Sequence, residues 1–240
     1  MKKLSILTWN LRQGGKKASK QIVASLTRHQ ANVMVLTEFK NNQTGTFILS
    51  ELRDAGWDYI QTSNPPHKEH GVAIISSFQL MEQKPPFSGK YGAHRWNEVY
   101  IPSLHLYLLG VHVPNVNETY DKTFHWEQIM KYADRRTSDR CVIIGDFNTA
   151  LLNERSAAPL KYSSYITALL DNGWADAWRL CNRNSTDYTW FSHKHNGYRL
   201  DYIFLSPPLK RTPSICDISH HERRQNYSDH AVLIAELVKI

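Results

Sequence analysis

The stretch VIIGDFNTA, residues 142–150, contains the pattern from which the fold and the chemistry of this chain can be worked out. Three apolar residues run into Gly145, and a carboxylate and an amide follow at Asp146 and Asn148. A short apolar run bounded by turn residues is typical of a buried strand. Asp and Asn at a strand end either cap the next helix or belong to a reaction site, because ligands favour such ends. Both interpretations stay open from these residues alone.

Short apolar or alternating runs predict nine strands, at residues 4–10, 32–39, 71–77, 97–102, 104–114, 140–147, 187–192, 198–206 and 230–238. Helical spacing of apolar residues occurs at 17–30, 44–56, 120–136 and 163–173. Strands and helices alternate early in the chain, whereas the later strands follow one another closely. This order predicts an α/β (α+β) fold with one large mixed sheet or two packed sheets flanked by helices.

Composition places the chain among globular proteins. The 240 residues are 41% hydrophobic and show no linker, so one domain spanning 1–240 is expected. A net charge of +7 fits either a polyanionic partner or an inert basic surface. Three dispersed cysteines exclude a disulfide framework and favour a reducing compartment. Without a signal peptide or a membrane-spanning run, we expect a cytoplasmic monomer that does not enter membranes.

Polar side chains recur at the ends of the predicted strands. Each alone has an ordinary explanation, such as a turn former, a solvated strand end or a structural histidine. Asp201 is harder to explain in this way, because a carboxylate inside YRLDYIF is costly to bury unless it is paired. The set consists of Asn10, Glu38, His112, Asn115, Asp146, Asn148, Asp201, Asp229 and His230.

One kind of chemistry accounts for this set as a whole. Hard oxygen ligands suit Mg²⁺ or Mn²⁺, with water and a substrate phosphate completing the shell. An imidazole oriented by a buried carboxylate suits acid–base catalysis or stabilisation of a phosphorane-like transition state. A second carboxylate beside an amide can orient an attacking water. These properties together predict metal-assisted hydrolysis of a phosphate ester.

The motifs TWN, TE, HVPN, GDFN, YRLDYIF and SDH occur in this order between Thr8 and His230. Their order resembles the endonuclease/exonuclease/phosphatase superfamily, which includes deoxyribonuclease I, exonuclease III-type abasic-site endonucleases, sphingomyelinases and inositol-polyphosphate phosphatases. Six ordered motifs over nearly the whole chain make the resemblance specific, although each motif alone is weak. It implies a four-layered α/β sandwich of two packed mixed sheets with helices outside.

The resemblance also implies roles for the residues that match the motifs. Asn10 and Glu38 correspond to metal ligands, with Asp229 contributing. Asp146 orients or deprotonates the attacking water, and Asn148 supports it and holds the phosphate. His230 contacts the scissile phosphate and Asp201 fixes its tautomer. His112 lies near the phosphate or leaving group, and Asn115 helps to bind phosphate.

The substrate branch is suggested by YTWFS and YRLDYIFLS, which resemble the abasic-site endonucleases. There, Trp190, Phe191, Tyr198 and Leu200 would wall a pocket for a baseless sugar, although Trp190 fits a core aromatic equally well. Two departures argue against strict abasic-site specificity. His112 replaces the tyrosine usual in that branch, and the short segment 149–173 lacks a clear copy of a longer phosphate-binding loop, with Asn153 in a non-matching context.

Three functions from different classes therefore compete. The leading one is a Mg²⁺- or Mn²⁺-dependent phosphodiesterase acting on DNA, with some abasic-site activity, and the basic charge favours it. The second is the same chemistry on a small phosphate ester or a lipid, of which the lipid ranks lower because no apolar loop suits membrane insertion. The third is an inactive nucleic-acid-binding module. An Asp146→Asn variant separates enzyme from binding module, since it should lose turnover and keep DNA binding.

Overall fold

The computed structural model describes residues 3–116, 118–151 and 161–240. Its strands are β1 (Lys3–Asn10), β2 (Val33–Phe39), β3 (Tyr59–Thr62), β4 (Gly71–Ser76), β5 (Met81–Gln83), β6 (Trp96–Ile101), β7 (Leu106–His112), β8 (Cys141–Asp146), β9 (Ala175–Asp176), β10 (Trp190–Phe191), β11 (Gly197–Tyr198), β12 (Asp201–Leu205), β13 (Pro213–Ser219) and β14 (Val232–Val238). Its α-helices are α1 (Ser19–His29), α2 (Gln43–Asp54), α3 (Lys122–Arg135), α4 (Ser163–Asp171), α5 (Ala177–Cys181) and α6 (His221–Arg224).

The strands form two mixed six-stranded sheets and a separate two-stranded ribbon. The first sheet has the order β13-β14-β1-β2-β4-β3, and the second has the order β5-β6-β7-β8-β12-β9. Strands β1 and β2 are parallel, as are β7 and β8, while their other neighbours are antiparallel. The chain passes through α1 between β1 and β2 and through α3 between β7 and β8. Each sheet therefore contains one βαβ unit.

The apolar residues sort into layers by the two-residue period of a strand. Ile6 of β1 and Ile144 of β8 belong to the core between the two sheets. Leu7, on the other face of β1, packs in a cluster with residues of α1 and α2. Ile143 lies in a cluster with Trp126 of α3 and residues of α4. The arrangement is helices, sheet, sheet, helices, which confirms the predicted four-layered α/β sandwich.

Strands β3, β5, β9 and β13 are absent from the prediction because their residues do not form apolar runs. Strand β5 is the short polar segment MEQ, and β13 starts with a proline and lies exposed at a sheet edge. The predicted strands 187–192 and 198–206 are wrong in their continuity. Residues 190–191 and 197–198 pair with each other as the β10–β11 ribbon, and β12 begins only at Asp201.

Gly145 in the opening stretch is required by the close approach of two strands. Its φ is +142°, and a Cβ atom there would lie 2.0 Å from the carbonyl oxygen of Val111 on β7. Only glycine fits this contact, which brings the end of β8 against β7. Among the described residues, the helices are too short or too polar to cross a lipid bilayer. A cytoplasmic, monomeric protein stays a prediction.

Candidate active site

The ends of the two parallel strand pairs bring predicted residues from both sheets together. Asn10 ends β1, Glu38 lies near the end of β2, and His112 and Asp146 end β7 and β8. His112 and Asp146 are paired in the strand register. Across the sheets, Asn10 Nδ2 donates to Asp146 Oδ2 at 2.8 Å. The carboxyl ends of parallel strands are a common place for ligand sites in α/β folds.

Asp146 is a buried carboxylate held in one orientation by amides. Its Oδ1 accepts the backbone N–H of Asn148 at 2.8 Å, and its Oδ2 accepts from Asn10. Burial, followed by the charge of Asp201, raises the pKa of Asp146 to about 7. A carboxyl group with this pKa can take up a proton near neutral pH, which is the requirement for a general base.

His230 is paired with Asp201, as the sequence predicted for a buried carboxylate. Asp201 faces Asp146 in the β12–β8 register and is fully buried. Its Oδ2 lies 2.8 Å from His230 Nδ1, while His230 Nε2 lies 4.0 Å from Asp146 Oδ2. Burial lowers the pKa of His230, but the charge and hydrogen bond of Asp201 outweigh it and raise the pKa to about 10. The imidazole is therefore cationic at neutral pH and stands between two acids.

Glu38 faces the same space from the first sheet. Its backbone has φ +51°, a left-handed conformation that a glutamate rarely adopts. Its Oε1 accepts Asn10 Nδ2 at 3.2 Å and its Oε2 accepts the backbone N–H of Gln13 at 2.5 Å. Asn10 Oδ1 accepts the N–H of Arg12 at 2.8 Å and keeps a second lone pair. Strained residues cluster at functional sites, so the geometry of Glu38 fits a ligand position.

His112 has a buried cation as its neighbour. Arg95, which immediately precedes β6, places Nη1 3.4 Å from His112 Nδ1 and pairs through Nη2 with Glu118 Oε2. Both side chains of the Arg95–His112 pair are almost completely buried. Burial, followed by the charge of Arg95, holds the pKa of His112 well below its usual value. His112 is therefore a neutral imidazole, in contrast to His230.

The two predicted phosphate-binding amides make local hydrogen bonds. Asn148 has φ +47°, its Nδ2 donates to Val113 O at 2.9 Å, and its carbonyl accepts from Lys122 Nζ. Asn115 is exposed, and its Oδ1 accepts the N–H of Val116 at 2.7 Å. Both residues line the cavity described next. Asn153, named for a phosphate-binding loop, lies outside the described residues.

A cavity of about 390 Å³ collects most of the predicted residues. One wall consists of Trp190, Tyr198 and Leu200, with the Trp190 and Tyr198 rings 5.7 Å apart. Trp190 Nε1 also approaches Asp229 Oδ2 at 3.4 Å. Asn10 and Asp201 are buried and are not part of the cavity lining. The predicted residues that line the cavity are Glu38, His112, Asn115, Asp146, Asn148, Trp190, Tyr198, Leu200, Asp229 and His230.

The cavity has the donor set and the charge that a divalent cation requires. Four carboxylates, those of Glu38, Glu118, Asp146 and Asp229, are part of its lining, and no described lysine or arginine is. Ligand atoms of Asp146, Asp201 and His230 lie within 4.8 Å of one another. Burial, followed by the charge of Asp201, raises the pKa of Asp146. Oxygen ligands of this kind fit Mg²⁺ or Mn²⁺, and a cation would reduce that excess of negative charge.

A groove of about 810 Å³ lies beside the cavity, and its charge is opposite. We name it the basic groove: its charged lining residues are Arg12, Lys16 and Lys17, and no described acid is among its lining residues. Thr44, Asn226 and Tyr227 add polar and aromatic surface. Arg12 connects the two, because its Nε lies 3.8 Å from Asp229 Oδ2 at the cavity. An acidic cavity therefore lies next to a surface suited to phosphate groups.

A model of the endonuclease/exonuclease/phosphatase family matches residues 7–230. The chain belongs to this family. Membership confirms the resemblance predicted from the six motifs and indicates a phosphoester hydrolase, a nuclease or a phosphatase. The matched range includes every residue of the candidate active site, from Asn10 to His230.

Solved structures of similar fold are found among nucleic-acid enzymes of the family. An abasic-site (AP) endonuclease from Archaeoglobus fulgidus superposes with a TM-score of 0.85 at 18% identity, covering 98% of this chain and 99% of the other. A 3′ phosphatase from Neisseria, bound to product DNA hairpin, has a TM-score of 0.80 at 22% identity with the same coverage. A 3′-5′ exonuclease from Neisseria meningitidis has 0.79 at 21%, again with 98% and 99% covered. At these identities, the likeness shows the family's fold.

Several site residues are missing from the sequence-based prediction. Arg95 lies in the segment HRW with no motif around it, and Glu118 and Lys122 lie in a polar loop and at a helix start. The available signal for Lys122 was its position at the start of α3, seven residues after the HVPN motif ends at Asn115. Nothing in the sequence singles out Arg95, because its partner His112 lies 17 residues further along the chain, at the end of β7.

Proposed function

We propose that this protein hydrolyses phosphodiester bonds in DNA with the help of Mg²⁺ or Mn²⁺. The observation that carries the proposal is the row of Asp146, His230 and Asp201, which opens into an acidic cavity beside the basic groove. The row supplies a base and a cation for the reaction, and the groove supplies contacts for the rest of a polyanion.

Asp146 acts as the base in this proposal. A water hydrogen-bonded to its carboxylate attacks phosphorus and passes a proton to the carboxylate. The bond from phosphorus to the leaving oxygen breaks with its electron pair on that oxygen, which takes up a proton from solvent water. Amide donors from Asn10 and Asn148 aim the carboxylate, so little reorganisation is needed at the moment of reaction. Lys122 keeps the Asn148 segment in its left-handed conformation by donating to the Asn148 carbonyl.

His230 provides positive charge next to the reacting phosphate. Asp201 accepts from its Nδ1, so Nε2 is directed to the cavity as a donor. A cationic donor is attracted to the extra negative charge that develops on the phosphate oxygens in the transition state. When bound, a divalent cation polarises the phosphate oxygens and shields their charge from the surrounding acids. Glu38 would hold it, with Asn10 and Asp229 contributing.

DNA is the favoured substrate because the basic groove offers contacts beyond a single phosphate. Arg12, Lys16 and Lys17 can neutralise successive phosphates of a strand whose scissile bond lies in the cavity. A small phosphate ester has no groups that reach these residues. The net charge of +7 supports the same choice.

The aromatic wall supports some activity at abasic sites. Trp190 and Tyr198 form a partly exposed surface in a cavity that also contains the acid and imidazole groups. A deoxyribose without a base is small enough to turn into such a cavity, whereas a nucleotide with its base must leave the stack first. This wall therefore predicts a preference for abasic DNA over intact DNA.

The test compares labelled duplexes that are identical except at one position. One is intact, one has a single abasic site, and one has a nick with a 3′-phosphate, the substrate type named by the similarity to a 3′ phosphatase. Each is incubated with Mg²⁺, with Mn²⁺ and with chelator. Asp146→Asn is the inactive variant, and Asp171→Asn, at an exposed position on α4, is the matched control.

Metal-dependent cutting of a duplex by the wild type and by Asp171→Asn, but not by Asp146→Asn, supports the proposal. Removal of the 3′-phosphate without cutting any chain would replace the nuclease with a phosphatase. No metal-dependent reaction on any duplex, with DNA still bound, would favour a binding module. Trp190→Phe keeps an aromatic ring without its N–H, so we expect it to retain more of the abasic preference than Trp190→Ala.

A further inference from the structure

His112 has two ring nitrogens in different surroundings. Nδ1 faces the Arg95 guanidinium at 3.4 Å. Nε2 has no hydrogen-bond partner among the described protein groups, and His112 is part of the cavity lining. The backbone of β7 holds the ring at the strand end beside Asp146. The nitrogen available to a substrate is therefore Nε2.

Arg95 can act only as a donor. A guanidinium carries five N–H groups and no acceptor, and it does not lose its charge in proteins. Arg95 is 4% exposed, and its position is set by the Glu118 carboxylate and by the Tyr120 ring, 5.5 Å from its Cζ. Because the group that faces Nδ1 is a donor, Nδ1 has to be the acceptor. The proton of a neutral imidazole then belongs on Nε2.

The other charged groups around His112 favour its neutral form. The groups that face it from every packed element are Arg95 before β6, His70 before β4, His125 on α3, His230 before β14, and Asp146 on β8, while Glu118 is paired with Arg95. The His70 ring centroid is 6.3 Å away. Burial lowers the pKa of His112, and most of these groups lower it further through their positive charge.

We propose that Arg95 is a positioning residue that holds His112 as the neutral tautomer with its proton on Nε2. His112 then offers one N–H donor to a phosphate or leaving-group oxygen and has no proton to release as an acid. His230 thus provides a cationic donor and His112 a neutral one. The assignment of a substrate oxygen rests on the proposed function, but the tautomer does not.

The first test is the imidazole ¹⁵N–¹H long-range correlation spectrum of the wild-type protein without substrate. We expect the pattern of the neutral Nε2–H tautomer for His112, unchanged between about pH 5 and 8, the range in which an ordinary histidine titrates. A proton on Nδ1, or an imidazolium within this range, overturns the proposal. The spectrum is recorded without substrate and measures no activity, so its result does not depend on the proposed nuclease function.

The second test removes the guanidinium. In Arg95→Met we expect the pKa of His112 to rise while burial still keeps it below the ordinary histidine value, and kcat/KM to fall about 10- to 100-fold, as when a partner that orients a functional imidazole is lost. Arg95→Lys, still a pure donor, should restore part of both. Arg136→Met removes a guanidinium paired with Glu98 away from the cavity and serves as the matched control. Unchanged His112 behaviour in Arg95→Met contradicts the inference.

The third test replaces His112 itself. A glutamine amide keeps an N–H donor and never titrates. We therefore expect His112→Gln to lose less activity than His112→Ala and to keep the wild-type pH profile. Equal losses in the two variants would mean that the imidazole acts as an acid, against the proposal.

Discussion

Replacing Asp201 with asparagine should remove the positive charge of His230 while keeping the shape of the site. Asp201 is fully buried and its Oδ2 lies 2.8 Å from His230 Nδ1. The pKa of His230 is raised from 6.5 to about 10 although burial alone would lower it. This difference corresponds to about 5 kcal/mol in favour of the protonated form. Asp201 is the largest favourable cause, through its charge and its hydrogen bond.

The variant should therefore contain a mostly neutral His230 at neutral pH. Loss of one preorganised donor to a developing oxyanion costs about 3–4 kcal/mol, or about 10²–10³ in kcat. The sign of the pH effect follows from the folded pKa values. Without the Asp201 charge, the pKa of His230 falls, and the pKa of Asp146 falls from about 7 as well, since Asp201 helps to raise it. Residual activity should have its optimum at lower pH than in the wild type.

The assay is kcat/KM on the duplex that the wild type cuts best, measured between about pH 5 and 9. The pKa of His230 is followed in parallel by NMR, and Asp171→Asn is the control. Thermal unfolding establishes that the variant is folded. A wild-type pH profile together with a loss below tenfold would refute the argument, because His230 would then not depend on Asp201 for its charge.

Three further predictions concern the groove, the stability and the glycine. Lys16→Ala with Lys17→Ala should weaken DNA binding and reduce the slope of log K against log salt by about 2, measured by titration at several salt concentrations. Burial raises the pKa of Glu222, but its hydrogen bonds, led by the one with His29, outweigh burial and lower the pKa to about 2. The Glu222 carboxylate stabilises the fold fully above its unfolded pKa, and this stabilisation is lost as pH falls through its folded pKa. Glu222→Gln should therefore lower the free energy of unfolding by about 2 kcal/mol at pH 7 and by little below about pH 2, measured in a denaturant titration. Gly145→Ala would place Cβ 2.0 Å from Val111 O and should destabilise by several kcal/mol, whereas a wild-type unfolding midpoint would contradict the strand contact.

The sequence alone determined the central strands and the ordered acid, amide and imidazole residues. Strands β1, β2, β7, β8 and β14 are buried in a four-layered fold, so most of their residues must be apolar and the runs are easy to find. Asp146 and His230 stood out because polar residues that interrupt or end such runs are costly without a purpose. The need of Asp201 for a partner followed from the same reasoning, and the resemblance to the family implied that His230 is this partner.

Tertiary structure decided what depends on partners far apart in the chain. Strand β13 was not predicted, and it forms because its neighbour β14 satisfies its backbone groups. The residues of β10 favour a strand, but only the folded structure shows that they pair with β11 in a separate ribbon. Asn10 meets Asp146 over a separation of 136 residues, and Arg95, just before β6, reaches His112 at the end of β7. A linear pattern carries no record of such contacts. The charge states of the two imidazoles therefore follow only from the folded structure, in which His230 lies beside an acid and His112 beside a guanidinium.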